Sequence, residues 1–230
     1  MKSQLSIIAL IGTLAFGAGC GSSGNNSTGT AGTTGTGGSG GPEACVAPTA
    51  ALITDFGSGT YPVGAPYSGG DPNGTVAPTV TTTTGSLVIT LATGPSTNAY
   101  PYAYVGLPFI ASCVDAHTYT GVKFTIGGTL NAGCSIQFST EDKEHTPTTL
   151  PGVPGTCTVA NCYPSSKQII PLPATPTDVT ILFADQTGGG AAPTAAIVDP
   201  TQILSVVWQV NPPAATGCTG TVTIDNVTFI

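Results

Sequence analysis

Repeated alternation of apolar and polar residues at period 2 predicts an all-β chain, folded as a sandwich of two antiparallel sheets. Three observations carry this. Alternating segments recur along most of the chain. Its 32 glycines and 20 prolines suit a fold rich in turns. Polarity comes from Thr, Ser, Gly and Pro, because charged residues are only 7% and arginine is absent. At 230 residues the chain is long enough for one sandwich after a leader and linker are set aside. The net charge of −7 favours solubility. With no basic patch for a phosphate backbone, nucleic-acid binding is excluded.

Residues 1–19 read as a secretory signal: Lys2, an apolar run from Leu5 to Phe16, then Gly17, Ala18 and Gly19. The run is too short to persist as a spanning helix. Small residues followed by Cys20 resemble the bacterial lipobox, although Gly17 stands where that motif usually has a larger residue. This resemblance implies lipidation of Cys20 and an exported protein lipid-anchored in the envelope, at the outer membrane or cell surface. Residues 20–44 form the tether. Within it, the 21 residues 21–41 hold no charge and nothing larger than Asn or Thr. Such a segment buries no apolar surface and is expected to be disordered, with an end-to-end distance of about 25 Å.

The sandwich domain is assigned to residues 45–230. Its first strand is 51–56. Residues 57–78 (GSGTYPVGAPYSGGDPNGTVAP) read as an irregular loop in which Tyr61 and Tyr67 are candidates to present aromatic faces to a ligand. Strands follow at 79–84 and 86–93, the second with Leu87, Ile89 and Leu91 on one face. Residues 100–110 place Tyr100, Tyr102 and Tyr104 at alternate positions, as a stacking platform would. Segments 119–126 and 135–140 are expected to form a central hairpin, with Phe124 and Phe138 inward. Its outer face would collect Lys123, Gln137 and Ser139, joined by Gln209 and Asp225 from the last strands. Amide, ammonium and carboxylate groups of this kind hydrogen-bond hydroxyls.

Residues 141–150 hold the one charge cluster, with Glu141, Asp142 and Glu144. After a further strand at 179–183, the triglycine of loop 186–196 lacks the Lys-Ser/Thr of a phosphate loop. The chain closes with strands 203–210 (ILSVVWQV) and 221–230 (TVTIDNVTFI). In the first, Leu204, Val206 and Trp208 share a face opposite Ser205, Val207 and Gln209. In the second, the Asp225-Asn226 pair interrupts the alternation, as a β-bulge does.

These closing strands, the opening Leu52-Ile53-Thr54-Asp55-Phe56, and YTGVKFTIGG (119–128) leading into SIQFST (135–140) together resemble carbohydrate-binding-module-like domains. The likeness is to the galactose-binding, jelly-roll type of β-sandwich, and it spans residues 50–230. It implies binding of a polysaccharide or glycan by a monomer that requires no cofactor. It also implies a structural calcium near the first and last strands. Asp55 and Asp225 match the metal positions, while Gly57 replaces the acidic residue that usually follows. The ligand-binding set is therefore Tyr100, Tyr102, Tyr104, Lys123, Gln137 and Gln209.

Cys20 aside, six cysteines remain in an exported chain, enough for three disulfides. Cys157–Cys162 is the first expected, because four residues separate the pair. The other four allow three pairings, of which Cys134–Cys218 with Cys45–Cys113 is preferred. Zinc needs short-spaced ligand pairs, and only one such pair exists. Catalysis has little support. No serine has a nucleophile-elbow context, Asp115 and His117 read as a loop hydrogen bond, and Glu141, Asp142 and Glu144 have no opposed carboxylate. The alternatives are a structural or adhesive envelope lipoprotein with a protein partner and, less favoured, a glycan-active enzyme.

Overall fold

The computed structural model describes residues 44–57, 64–71, 78–83, 85–109, 113–146, 155–158, 167–186 and 198–230. The leader, Cys20, the tether to residue 43, Tyr61 and Cys162 lie outside the described residues. Among the described residues eleven strands form in chain order: β1 (Leu52–Thr54), β2 (Tyr67–Gly70), β3 (Thr79–Thr83), β4 (Ser86–Ala92), β5 (Ala103–Pro108), β6 (Gly121–Leu130), β7 (Ser135–Asp142), β8 (Lys167–Ile170), β9 (Thr177–Leu182), β10 (Ile203–Asn211) and β11 (Thr219–Phe229). The one helical turn among the described residues is a 3₁₀ turn at Phe183–Asp185. Every strand pairing is antiparallel. The fold is thus the all-β sandwich that the alternation predicted.

The first sheet runs β3-β4-β11-β6-β9, with β1 on the far part of β11, and the second runs β2-β5-β10-β7-β8. Each is built around one closing strand, β11 or β10. Each of them pairs with a neighbouring strand along both of its edges. Trp208 of β10, Phe138 of β7 and Phe124 of β6 meet in the core, with ring centroids 5.0–5.5 Å apart. All three are essentially inaccessible to water, as are Val122, Ile126, Val206, Val222 and Ile224. The predicted bulge is present: the β11–β6 register shifts between Asp225 and Thr228, and Asn226 takes φ 49°.

One expectation of pairing is corrected. Segments 119–126 and 135–140 are not a hairpin, because β6 belongs to the first sheet and β7 to the second. Their apolar faces meet across the core instead, through Phe124 and Phe138. Alternation reports which face of a strand is apolar, and two such faces can share a sheet or oppose each other between sheets. Two strands also lie outside the sequence reading. Tyr67–Gly70 falls in the segment read as loop, and Lys167–Ile170 is too short to show a period.

Disulfides join Cys45 to Cys113 and Cys134 to Cys218, the pairings preferred from sequence. The first ties the segment before β1 to the chain after β5, beside a Val46–Val114 bridge. The second ties the start of β7 to the start of β11. Cys157 is also disulfide-bonded.

Candidate functional site

The outward face of the second sheet gathers more chemistry than any other described surface. Residues directly opposite one another on paired strands share a face, so the register alone defines its rows. One row reads Gly69, Tyr104, Gln209, Gln137 and Ile169 across β2, β5, β10, β7 and β8. The next reads Tyr67, Gly106, Val207, Ser139 and Lys167. A third brings Pro108, Ser205 and Glu141 together.

Two glycines let the tyrosines lie down on this sheet. A side chain at Gly106 would stand 2.1 Å from the Tyr67 ring, and one at Gly69 would stand 2.3 Å from the Tyr104 hydroxyl. Each tyrosine therefore occupies the space that the glycine opposite leaves vacant. The two rings meet edge to face, with centroids 6.0 Å apart. Tyr102 stacks on the other side of Tyr104 at 6.2 Å with an interplanar angle of 24°. The result is an aromatic strip along β5, bordered by the amides of Gln209 and Gln137.

Beyond the strip the Tyr67 hydroxyl reaches into a polar cluster. It donates to Glu141 Oε2 at 3.2 Å and lies 3.1 Å from Ser205 Oγ, while Ser205 Oγ donates to the same Oε2 at 2.8 Å. Burial pushes the Tyr67 phenol above its ordinary value, and the neighbouring Glu141 charge adds to this. The Glu141 carboxyl is likewise raised by burial, which outweighs the hydrogen bonds from Ser205 and Tyr67. Tyr104 is raised by burial first, then by Tyr102 and Glu141. Gln209 Nε2 donates to Asn211 Oδ1 at 2.7 Å, two residues along the same strand face.

Part of this face is withdrawn from water, while Tyr104 and Gln209 are half-buried and Ile169 is exposed. Gln137, Ser139, Ser205 and Val207 are all buried, although none points into the core. Sequence reasoning placed Tyr104, Gln137 and Gln209 among the ligand-binding residues, and the register sets them side by side. Tyr102 joins through stacking. Tyr100 does not, because β5 begins at Ala103 and Tyr100 stands 85% exposed before it.

The expected place of Lys123 and Asp225 on this face is corrected. Both lie in the first sheet, where Lys123 Nζ pairs with Asp178 Oδ2 at 3.5 Å and Asp225 opposes Thr125. A hydrogen bond from Thr125, followed by the Lys123 charge, holds Asp178 below the usual carboxylate range. The placement of Lys123 beside Gln137 depended on the hairpin that does not form.

The sequence puts Ser205 on the face of Gln209 and offers Tyr67 only from a loop, and it assigns no role here to Glu141, Gly69 or Gly106, though a signal for Tyr67 and the two glycines exists. Tyr67-Ser68-Gly69 and Tyr104-Val105-Gly106 are two copies of Tyr-x-Gly. Antiparallel pairing of two such triplets sets each tyrosine opposite the other's glycine.

The acids of the charge cluster diverge. Glu141 faces the tyrosines, whereas the buried Asp142 turns the other way. Its Oδ1 accepts the His145 backbone N–H at 3.0 Å and lies 2.7 Å from His145 Nδ1, and its Oδ2 accepts the Asp199 N–H at 3.1 Å. Asp142 thereby pins two loops. Asp115 and His117 form an exposed contact of 2.7 Å within one turn.

Pairing of Thr54 with Val227 brings Asp55 and Asp225 to the same end of the first sheet. Asp55 Oδ1 accepts the Gly57 N–H, and Asp225 Oδ1 accepts that of Asn226. Among the described residues no three His, Cys, Asp or Glu side chains gather at metal-binding distance. A separate open cavity of about 430 Å³ lies between the end of β6, the start of β7 and the β8–β9 connection. It is lined by Leu130, Ile136, Ile170 and Leu172 among others and holds no charged side chain.

No protein-family model and no curated protein matches the sequence. Solved structures do resemble the fold. A family 11 carbohydrate-binding module of a cellulosomal cellulase of Clostridium thermocellum aligns at 16% identity and TM-score 0.48, over 81% of this chain and 95% of that one. A family 30 carbohydrate-binding module of another cellulosomal cellulase of the same organism aligns at 13% and 0.48, over 77% and 96%. The glycoside hydrolase domain of Endo-D from Streptococcus pneumoniae aligns at 10% and 0.36, over 70% of this chain and 21% of that one. These likenesses concern the fold.

Proposed function

We propose that this domain binds a neutral polysaccharide or glycan along the outward face of the second sheet, without catalysis. The observation that carries the reading is the single row of Tyr104, Gln209 and Gln137, flanked by Tyr102. A sugar ring presents C–H groups on its faces and hydroxyls at its rim. Aromatic rings suit the first, and amides, which donate and accept, suit the second. That row carries no charge, which fits a neutral ligand. Two described disulfides accord with an oxidising compartment. The same reading has the domain exported and held at the envelope through lipidated Cys20.

A structural calcium at Asp55 and Asp225 belongs to this proposal. The two carboxylates would supply part of the oxygen shell, with backbone carbonyls and water completing it. A Tm that falls on chelation supports the metal, and a Tm indifferent to calcium removes it.

The binding test is retention of the oxidised protein on a broad glycan array, compared with Tyr104→Ala and Gln209→Ala. Specific retention by the parent that both substitutions abolish supports the reading. A blank array with folded protein overturns it.

A further inference from the structure

Tyr67 spans the second sheet. Its backbone is in β2, its ring lies on Gly106 of β5, and its hydroxyl reaches Ser205 of β10 and Glu141 of β7. One edge strand is thus tied through one side chain to three inner strands. β2 itself has only four residues paired to β5, so backbone bonds alone hold it weakly. The ring of Tyr104 rests on Gly69 of that same short strand and meets the Tyr67 ring edge to face. Displacement of Tyr67 would therefore loosen the support beneath Tyr104.

We propose that Glu141 is a positioning residue of this face: its Oε2, shared by Tyr67 and Ser205, holds Tyr67 down on Gly106 and so sets the aromatic strip for its ligand. The proposal deepens the glycan-binding reading and, for its affinity arm, rests on it. Glu141 touches no ligand in this account and acts through Tyr67. Its neighbours define how it responds to pH. Tyr67 from β2 and Ser205 from β10 hydrogen-bond it, Tyr104 from β5 feels its charge, and Asp142 adjoins it on β7. Lys167 of β8 occupies the register position beside Ser139, one row away.

When ionised, Oε2 accepts from both hydroxyls. When protonated, the carboxyl must donate through one oxygen, and the Tyr67–Ser205–Glu141 bonds rearrange. Because desolvation raises the Glu141 carboxyl, this exchange falls above the ordinary carboxylate range.

The test compares the parent with Glu141→Gln, Glu141→Ala and Tyr67→Phe. A sugar-free readout comes from the Tyr67 ring resonances in NMR, which the nearby, steeply inclined Tyr104 ring shifts. In the parent these should move with pH as Glu141 titrates, stay fixed in Glu141→Gln, and lose the ring-current shift in Glu141→Ala. The affinity readout is electrophoresis in gels containing hydroxyethyl cellulose as a neutral polysaccharide probe. Retention should fall about tenfold in Glu141→Ala and in Tyr67→Phe, the effect of losing one charge-assisted hydrogen bond. It should stay within about twofold of the parent in Glu141→Gln, which keeps an acceptor oxygen. Tyr67 resonances unchanged in Glu141→Ala, or Gln and Ala variants that behave alike, overturn the proposal. Should Glu141→Ala fail to fold, coupling between Tyr67→Phe and Glu141→Gln decides in its place, with strict additivity counting against. A parent that ignores the probe defeats the affinity arm alone, and the NMR arm still decides the role of Glu141.

Discussion

The two outward faces of this sandwich follow the same alternation and end as opposites. On the first sheet, Thr79, Thr90, Thr221 and Thr129 line up across β3, β4, β11 and β6. Thr79, Thr90 and Thr129 are exposed, and the charges at one end neutralise each other as Lys123 and Asp178. On the second sheet the outward residues are also largely polar, yet Gln137, Ser139 and Ser205 are buried. The difference lies in size and convergence. Threonines stand separately, whereas Tyr67, laid over Gly106, reaches the Glu141 and Ser205 that the register sets side by side. An outward polar face is thus an ordinary surface until large side chains lie across it.

Substitutions can break or sharpen this contrast. The largest effect should come from Trp208→Ala, which removes the ring shared by both inner faces. It should cost about 3–5 kcal/mol in denaturant unfolding and abolish both faces together. Gly106→Ala should act on the second face alone. Its Cβ would displace the Tyr67 ring and strip the hydroxyl bonds to Glu141 and Ser205, costing about 1–3 kcal/mol. Glycan retention should be lost while the first sheet's amide protection persists. Retention equal to the parent would show that Tyr67 plays no part in the site.

A smaller effect concerns pH. The Glu141 carboxyl is raised in the folded state, so the folded protein binds this proton more tightly than the unfolded chain. Its contribution to stability is fully present below the unfolded carboxylate range and is lost as pH rises through the raised value. Glu141→Gln, which imitates the neutral form, should flatten that part of the stability profile and raise Tm at neutral pH. A profile with unchanged slope would place the carboxyl in contact with water. The smallest effects belong to the first face, where Thr221→Ala should change stability by no more than about 0.5 kcal/mol. Lys123→Ala should leave both Tm and retention where they were, since an exposed ion pair contributes little. Retention lost in Lys123→Ala would move the binding face to the first sheet.

The site was half legible before the structure. Tyr104, Gln137 and Gln209 could be chosen because each alternates with a buried neighbour: Val105, Phe138 and Trp208. Tyr67 was read as part of a loop because Gly69, Gly70 and the prolines around it give turn signals, and a four-residue edge strand has too few positions to show a period. Glu141 was read with Asp142 and Glu144 as one charge cluster. Extension of β7 to Asp142 sends Glu141 and Asp142 to opposite sides.

What the sequence by itself determined is local. It set the strand faces, the bulge at Asp225 and Asn226, and the apolar identity of the core, because backbone sterics send successive side chains to opposite sides. Only the tertiary structure decided which strands became neighbours. That choice put Lys123 on one sheet and Gln137 on the other, brought Tyr67 over Gly106, and joined Glu141 to Ser205. Strand partners are selected by packing between residues far apart in the chain, and a period of two is the same whichever sheet a strand joins.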